Sequence, residues 1–283
     1  WPANLKPESP STPMNPMPTL RRAVGLFIIA LLAGCAGLPG TQISQVDERP
    51  LELVAHPGTG PVVVFENGLG GHMAWWGKVL PALPADTAYF AYNRPGIGQS
   101  APASTPRDGQ HIVAELRRAL QQQGMQPPYV LVGHSLGGLY MQLFARQHPQ
   151  EVAALVLVDS THPRQQVGAG AIENQSLLVR GVAKALITGT AKDEFDLVNQ
   201  TGQQVLALPT VTGLPVTVLS AAQPMKETSD LAKFSNALRE DIARLYPNAK
   251  QVWVDSGHAI PLEKPEAVVN AITAALAEAR AGR

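Results

Sequence analysis

The residues best suited to chemistry lie in the run Tyr129-Val130-Leu131-Val132-Gly133-His134-Ser135-Leu136-Gly137-Gly138. A stretch of β-forming residues enters a turn whose serine stands between glycines, and a helical stretch, Leu139 to Gln147, leaves it. A serine hydroxyl lifted on such a turn at the head of a helix is placed for nucleophilic attack. The turn strains the serine backbone, strand and helix crowd each other, and glycines relieve the crowding. A bare Gly-x-Ser-x-Gly is common, and it is the strand before and helix after that make this one specific. The turn lacks the lysine of a phosphate-binding loop, and Gly96-Ile97-Gly98 lacks the third glycine of a dinucleotide fingerprint.

A serine so placed needs a sheet beneath it. Short apolar runs occur at Leu51 to Ala55, Val62 to Glu66, Ala88 to Asn93, Tyr129 to Gly133, Ala154 to Asp159, Val216 to Ser220 and Gln251 to Asp255, alternating with helical stretches. Several are continuous Val/Ile/Leu runs, as in strands buried on both faces, and the alternation predicts a parallel sheet covered by helices. A helix is expected to start at Thr105-Pro106-Arg107-Asp108, a cap residue with proline at the first helical position, and to run to Gly124 with Ile112, Leu116, Ala119 and Leu120 inward. From about residue 161 to 213 the rhythm breaks. Helical segments near Ala171 to Ile187 and Asp193 to Gln200 predict a small lid, with Leu177, Leu178, Val182 and Leu186 as candidates to face a substrate.

The bulk numbers narrow the function. Lys plus Arg and Asp plus Glu both number 22 in the 283-residue chain, so no net charge draws it to nucleic acid. Trp1 to Pro18 is proline-rich and has no apolar periodicity. Arg21 and Arg22 then precede the apolar run Ala23 to Ala33, with the layout of a secretory signal. That run ends in Leu32-Ala33-Gly34-Cys35, which resembles the lipobox of bacterial lipoproteins, and Cys35 is the only cysteine. The resemblance implies acylation of Cys35 and a membrane tether at the bacterial cell envelope. With Ala36 in place of an inner-membrane aspartate signal, the outer membrane facing the periplasm is the expected location. The expected organisation is a leader over 1–34, a lipidated linker over 35–47 and one catalytic domain over 48–283.

Over nearly all of residues 48–280 the chain resembles the α/β-hydrolase superfamily. Besides the serine turn, Phe65-Glu66-Asn67-Gly68-Leu69-Gly70-Gly71 with Trp75 and Trp76 resembles that superfamily's oxyanion loop, Tyr92-Asn93-Arg94-Pro95-Gly96-Ile97-Gly98-Gln99-Ser100 its turn after the next strand, and Ser256-Gly257-His258 its histidine loop. The resemblance implies the α/β-hydrolase fold, a mostly parallel sheet flanked by helices, with the lid inserted after the sixth strand of that fold, here the run Ala154 to Asp159. It implies Ser135 as nucleophile, His258 as base, and the backbone N–H groups of Leu69 and Leu136 as oxyanion donors. Of the other histidines, His134 is expected to orient the turn, His72 to line the oxyanion loop, and His56, His111, His148 and His162 to pack or face solvent.

The acid of the implied triad is less fixed. After Val216 to Ser220, where most relatives carry it, the chain reads Ala221-Ala222-Gln223-Pro224, with no carboxylate before Glu227 and Asp230. Asp159, after the preceding strand, is where some members place it, and ligands of parallel sheets gather at such strand ends. Asp159 is the expected acid, Glu227 and Asp230 the alternatives. The implied activity is hydrolysis of a small-molecule carboxylic ester through an acyl-enzyme by a monomer needing no metal or organic cofactor. Thioesterase, peptidase and acyltransferase remain alternatives within the fold, and a catalytically silent binding protein outside catalysis.

Overall fold

The structure is a computed structural model, and it describes residues 38–222 and 228–281. Cys35 and Glu227 lie outside the described residues. Eight strands form one sheet among them: β1 (Gln42–Val46), β2 (Arg49–His56), β3 (Thr59–Glu66), β4 (Thr87–Tyr92), β5 (Tyr129–His134), β6 (Val152–Val158), β7 (Val216–Ala221) and β8 (Lys250–Val254). Their spatial order is β1-β2-β4-β3-β5-β6-β7-β8. β1 and β2, and β2 and β4, pair antiparallel, and all other pairs are parallel.

The continuous apolar strands are buried on both faces, as their sequence requires. Alternate side chains of β3, β5 and β6 divide between two cores. Val62, Val64, Tyr129, Leu131, Leu155 and Leu157 enter one. Val63, Phe65, Val130, Val132, Val156 and Val158 enter the other. Into the first pack helices α1 (Gly109–Gln122) and α2 (Leu136–Gln147), through Ile112, Leu116, Ala119, Leu120, Leu139 and Leu143. Into the second packs the long C-terminal helix, Pro265–Ala281, through Val268, Ile272 and Leu276.

Three expectations are corrected. The sheet takes in residues 42–46, expected as linker: β1 forms a hairpin with β2 through Asp47 and Glu48, both at positive φ (49° and 62°), the geometry a two-residue hairpin turn demands. That strand is a mostly exposed edge with apolar residues only at Ile43 and Val46, so it carries no strong pattern. Helix α1 begins three residues after the expected start, because Asp108, whose Oδ1 accepts the Gln110 N–H at 3.0 Å, is the cap. Thr105 instead bonds Glu115, to which Arg107 Nη1 also donates at 2.7 Å.

The third correction concerns the lid. Between β6 and β7 lie α3 (Leu177–Leu186), α4 (Gly189–Asp196) and α5 (Val198–Leu206). Helix α5 is docked into the body: Val198 and Val205 are buried in the first core, Thr201 Oγ1 accepts the Gly109 N–H at 2.9 Å, and Arg146 Nη1 donates to the Val205 and Leu208 carbonyls at 3.2 Å. By contrast α3 has no buried residue, and Leu177 and Leu178 are exposed to solvent. The inserted segment is therefore anchored by α5 at one end and loosely attached along α3.

Candidate active site

Ser135 stands between β5 and α2 with φ 54° and ψ −124°, a conformation that strains any L-residue carrying a Cβ. The turn is held in that state by its backbone. The Ser135 N–H donates to the Val158 carbonyl at 3.1 Å, and the Ser135 carbonyl accepts from Gly138 at 3.0 Å and Thr161 at 2.9 Å. The glycines make room for it: a Cβ on Gly137 would sit 2.5 Å from the Glu66 and Asn67 carbonyl oxygens. The two residues that crowd Gly137 belong to the expected oxyanion loop. A Cβ on Gly68 in that loop would lie 3.6 Å from Ser135 Oγ, so the peptide leading to Leu69 runs beside the hydroxyl. Leu136, the other expected donor, is the first residue of α2.

The structure joins His258 to Asp159. His258 Nδ1 and Asp159 Oδ2 are 2.7 Å apart, with the imidazole part-exposed and the carboxyl buried. Asp159 lies just past the end of β6 at φ 38°, a left-handed position that aspartate tolerates better than most residues. Its Oδ1 accepts the Ala221 N–H at 3.1 Å. Arg239, on the helix α6 (Asp230–Asp241), adds two bonds, Nε to Oδ1 at 2.8 Å and Nη2 to Oδ2 at 3.2 Å. Burial alone would raise the Asp159 pKa, but the hydrogen bond and charge of His258, then Arg239, reverse this and hold the carboxyl well below the usual carboxylate range. Asp230, the described alternative, is exposed and faces Lys233 at 4.0 Å.

The loop that carries His258 is itself braced. Glu263 Oε2 accepts from Ser256 Oγ at 2.8 Å and from the Gly257 N–H at 2.9 Å. His134 Nε2 donates to the His258 carbonyl at 2.9 Å, which fixes its tautomer. Its ring lies between those of Trp75 and His258, with centroids 5.1 and 4.7 Å away. Burial, aided by the neighbouring His258, pushes the His134 pKa down to about 3, so it stays neutral. His134, expected to orient the serine turn, bonds through its side chain to the loop that carries His258. His72 caps a short 3-10 turn by accepting the Ala74 N–H at 3.1 Å and lies 2.7 Å from Asn93 Nδ2, so its part is to hold the loop that follows the expected oxyanion turn.

A second charged cluster lies beneath that oxyanion loop and had no signature in the sequence. Arg94 is fully buried and binds Glu66 Oε1 through Nη1 at 2.7 Å and Glu194 through Nε and Nη2 at 2.6 and 2.8 Å. The same guanidinium donates to the Asn67 and Gly68 carbonyls at 2.7 and 2.6 Å. Glu194 comes from α4 and also accepts the Gly70 N–H at 3.2 Å. Gly70, at φ 57°, lets α4 approach: a Cβ there would be 2.8 Å from the Ala191 Cβ. Burial works against the charge on Arg94, but Glu194 and Glu66 outweigh it and hold it protonated. Glu66 is pushed up by burial against the pull of Arg94, with Tyr92 donating to its Oε2 at 2.6 Å.

Comparison with known proteins agrees with this architecture. A family model for the alpha/beta hydrolase fold matches residues 61–175, from β3 through the serine turn into the inserted segment. Among solved structures, a thermophilic esterase from Thermogutta terrifontis superposes with a TM-score of 0.60 at 20% identity, over 84% of this chain and 98% of that one. A membrane phospholipase A superposes with a TM-score of 0.61 at 19% identity, over 93% of this chain and 92% of that one. Among curated proteins, YqjL of Bacillus subtilis, itself uncharacterized, is 31% identical over 101 residues, 36% of this chain. The chain spans 40% of the length of that relative and 40% and 42% of the next two. The fold of the chain is the α/β-hydrolase fold, an eight-stranded, mostly parallel sheet with flanking helices.

Proposed function

We propose that the protein is a serine hydrolase that cleaves carboxylic esters through an acyl-enzyme on Ser135. The observation that carries this reading is a histidine bonded to a buried carboxylate at 2.7 Å, on a loop whose carbonyl is held at 2.9 Å by His134, the residue just before the serine of the strained positive-φ turn. In the first step Ser135 Oγ bonds to the ester carbonyl carbon while its proton passes to His258. The oxyanion is held by the Leu69 and Leu136 N–H groups. The C–O bond to the alcohol then breaks, and His258 returns the proton to the leaving oxygen. Water attacks the acyl-enzyme with His258 again as base, releasing the carboxylic acid and restoring the serine. Asp159 stabilises the imidazolium through its hydrogen bond to Nδ1.

A fluorophosphonate probe tests the nucleophile: Ser135 Oγ bonds to phosphorus, fluoride leaves and His258 takes the proton. Labelling of wild type and none of Ser135→Ala supports the reading, and no labelling of folded wild type overturns it in favour of a silent binding protein. A panel of p-nitrophenyl esters beside thioester and amide analogues then separates an esterase from a thioesterase or peptidase. The likeness to an esterase and a phospholipase of the same fold supports an ester substrate. Tethering through Cys35 at the envelope belongs to the same proposal, supported by the apolar run and its Leu-Ala-Gly-Cys ending. Metabolic labelling with a radioactive fatty acid checks it, with incorporation expected in wild type and absent from Cys35→Ser.

A further inference from the structure

Resting on the reading of Asp159 as the acid partner of His258, we propose that Arg239 is a positioning residue of the reaction. It holds Asp159 by both oxygens, so that Oδ2 faces His258 Nδ1, and it moderates the carboxylate's pull on the base.

Three observations carry the proposal. First, Asp159 sits beyond the last residue of β6 at positive φ, with its backbone N–H held by the Leu219 carbonyl at 2.7 Å, and the orientation of its side chain rests on the partners of its carboxyl. Those are Ala221 N–H and Arg239 Nε on Oδ1, and His258 Nδ1 and Arg239 Nη2 on Oδ2. The fork spans both oxygens and sets the plane of the group. Second, Arg239 is itself built in. Nη1 donates to Asn236 Oδ1 at 3.1 Å, and its carbonyl accepts from Gln251 Nε2 at 3.0 Å. Gln251 belongs to β8, the strand whose end leads to His258, and its amide also donates to Ser220 on β7 at 3.0 Å. Helix α6 and the strand that carries the base are thereby tied to one another. Third, the pair is not a surface ornament: the Asp159 side chain is 3% exposed and that of Arg239 18%, so solvent screens it little.

The sign of the electrostatic effect follows from charge. Oδ2 is shared between a permanent cation and an imidazole that becomes a cation during the reaction. Arg239 therefore offsets part of the carboxylate charge that acts on the imidazole, and its removal would strengthen the hold of Oδ2 on an imidazolium. The charged and titratable groups bonded to His258, to its loop or to its carboxylate partner include Asp159 just past β6, neutral His134 from β5, Arg239 from α6, and Glu263, whose carboxylate binds Ser256 and Gly257 in the histidine loop, and Asp255 stands three residues before His258 in the chain. Of these, Arg239 is the cation that shares the Asp159 carboxyl with His258.

The test is the pH dependence of fluorophosphonate labelling at Ser135, which needs no knowledge of the natural substrate. In the Arg239→Met variant the labelling rate falls up to about a hundredfold through misplacement of the acid, and its acid limb moves up by about one pH unit. Arg239→Lys keeps the charge and loses the fork, so it restores the acid limb to the wild-type position while recovering only part of the rate. A wild-type rate and acid limb in folded Arg239→Met overturns the proposal, as does Arg239→Lys sharing the shifted limb. Should Arg239→Met fail to fold, Arg239→Gln takes its place. Asp159→Asn is measured beside them. If it labels at the wild-type rate, the reading of Asp159 itself fails, whereas loss in Asp159→Asn with no change in Arg239→Met sinks Arg239 alone.

Discussion

Two charged clusters lie under the same strand ends, and they are built in opposite senses. Around Asp159 one buried acid faces a fixed cation and an imidazole whose side chain is 41% exposed. Around Arg94 one buried cation faces two acids, with all three side chains fully buried. The first is open at its histidine, so a proton can enter and leave without unfolding anything. The second is sealed, so loss of its one cation would leave two carboxylates without a counter-charge in a low-dielectric interior. The contrast separates two tasks. The proton transfer proposed for His258 needs one member at the solvent boundary, whereas a frame for the loop after β3 and for α4 needs the reverse. Arg94 meets the second need by binding the Asn67 and Gly68 carbonyls on one side and Glu194 on the other.

Breaking each cluster should therefore give different symptoms. The largest effect on chemistry is expected for Asp159→Asn, which keeps the shape but spoils the tautomer and charge: labelling and ester turnover of the folded protein fall by about ten-thousandfold, far beyond what loss of its ion pair with Arg239 takes from the thermal midpoint. If activity falls only as far as the loss of folded protein explains, the Asp159 cluster is structural and the contrast is wrong. For the sealed cluster, Arg94→Met strands two buried carboxylates and should destabilise the fold by about 3–5 kcal/mol, read by urea denaturation at neutral pH. A mild loss of stability there would mean that the cluster is wetter than its burial shows.

The next effect is set by pH. Since His134 is held down to about 3 in the fold but titrates near 6.5 when unfolded, the unfolded chain binds a proton that the folded chain refuses between those values. Its contribution to stability is complete above about pH 6.5 and is lost as pH falls toward 3, at up to about 1.4 kcal/mol per pH unit. Asp159, whose pKa is lowered, adds a loss of the same sign only once pH drops into the ordinary carboxylate range. Denaturation measured in steps from pH 7 to 4 should show the upper part of that slope flattened in His134→Asn, with the lower part retained. The smallest effect belongs to the exposed face of α3: Leu178→Asp should change stability by no more than about 0.5 kcal/mol, since it disturbs neither cluster. A larger change would show that α3 is held more firmly than its lack of buried residues implies.

How far the sequence could be read depended on how local each cause was. Strands β3, β5 and β6 were the most legible because burial on both faces writes itself as runs of Val and Leu. β1 escaped because an exposed edge strand with two apolar residues has no such mark, and its hairpin turn uses Asp47-Glu48 without glycine. The start of α1 was displaced by a competition among Thr105, Pro106 and Asp108 that only the tertiary bonds of Thr105 and Arg107 to Glu115 resolve. Likewise α5 read as lid from its position in the chain, and its buried face against α2 and the first core makes it body.

The serine turn was the most local of all. A strand, three glycines, a serine and a helix within residues 129–147 constrain one another through the backbone, so sequence alone placed Ser135 on its strained turn, and the order of motifs put His258 on its loop. Nothing local pointed from residue 159 to residue 239, which lie 80 apart, or from residue 94 to residue 194, which lie 100 apart. Those partnerships exist because α6 and α4 fold back over the ends of β6 and β3, bringing charges together in places where water cannot screen or replace them. The strained serine turn was thus written locally, and only packing decided which carboxylate faces His258, which arginine binds that carboxylate, and what holds the loop of Asn67 and Gly68 in place.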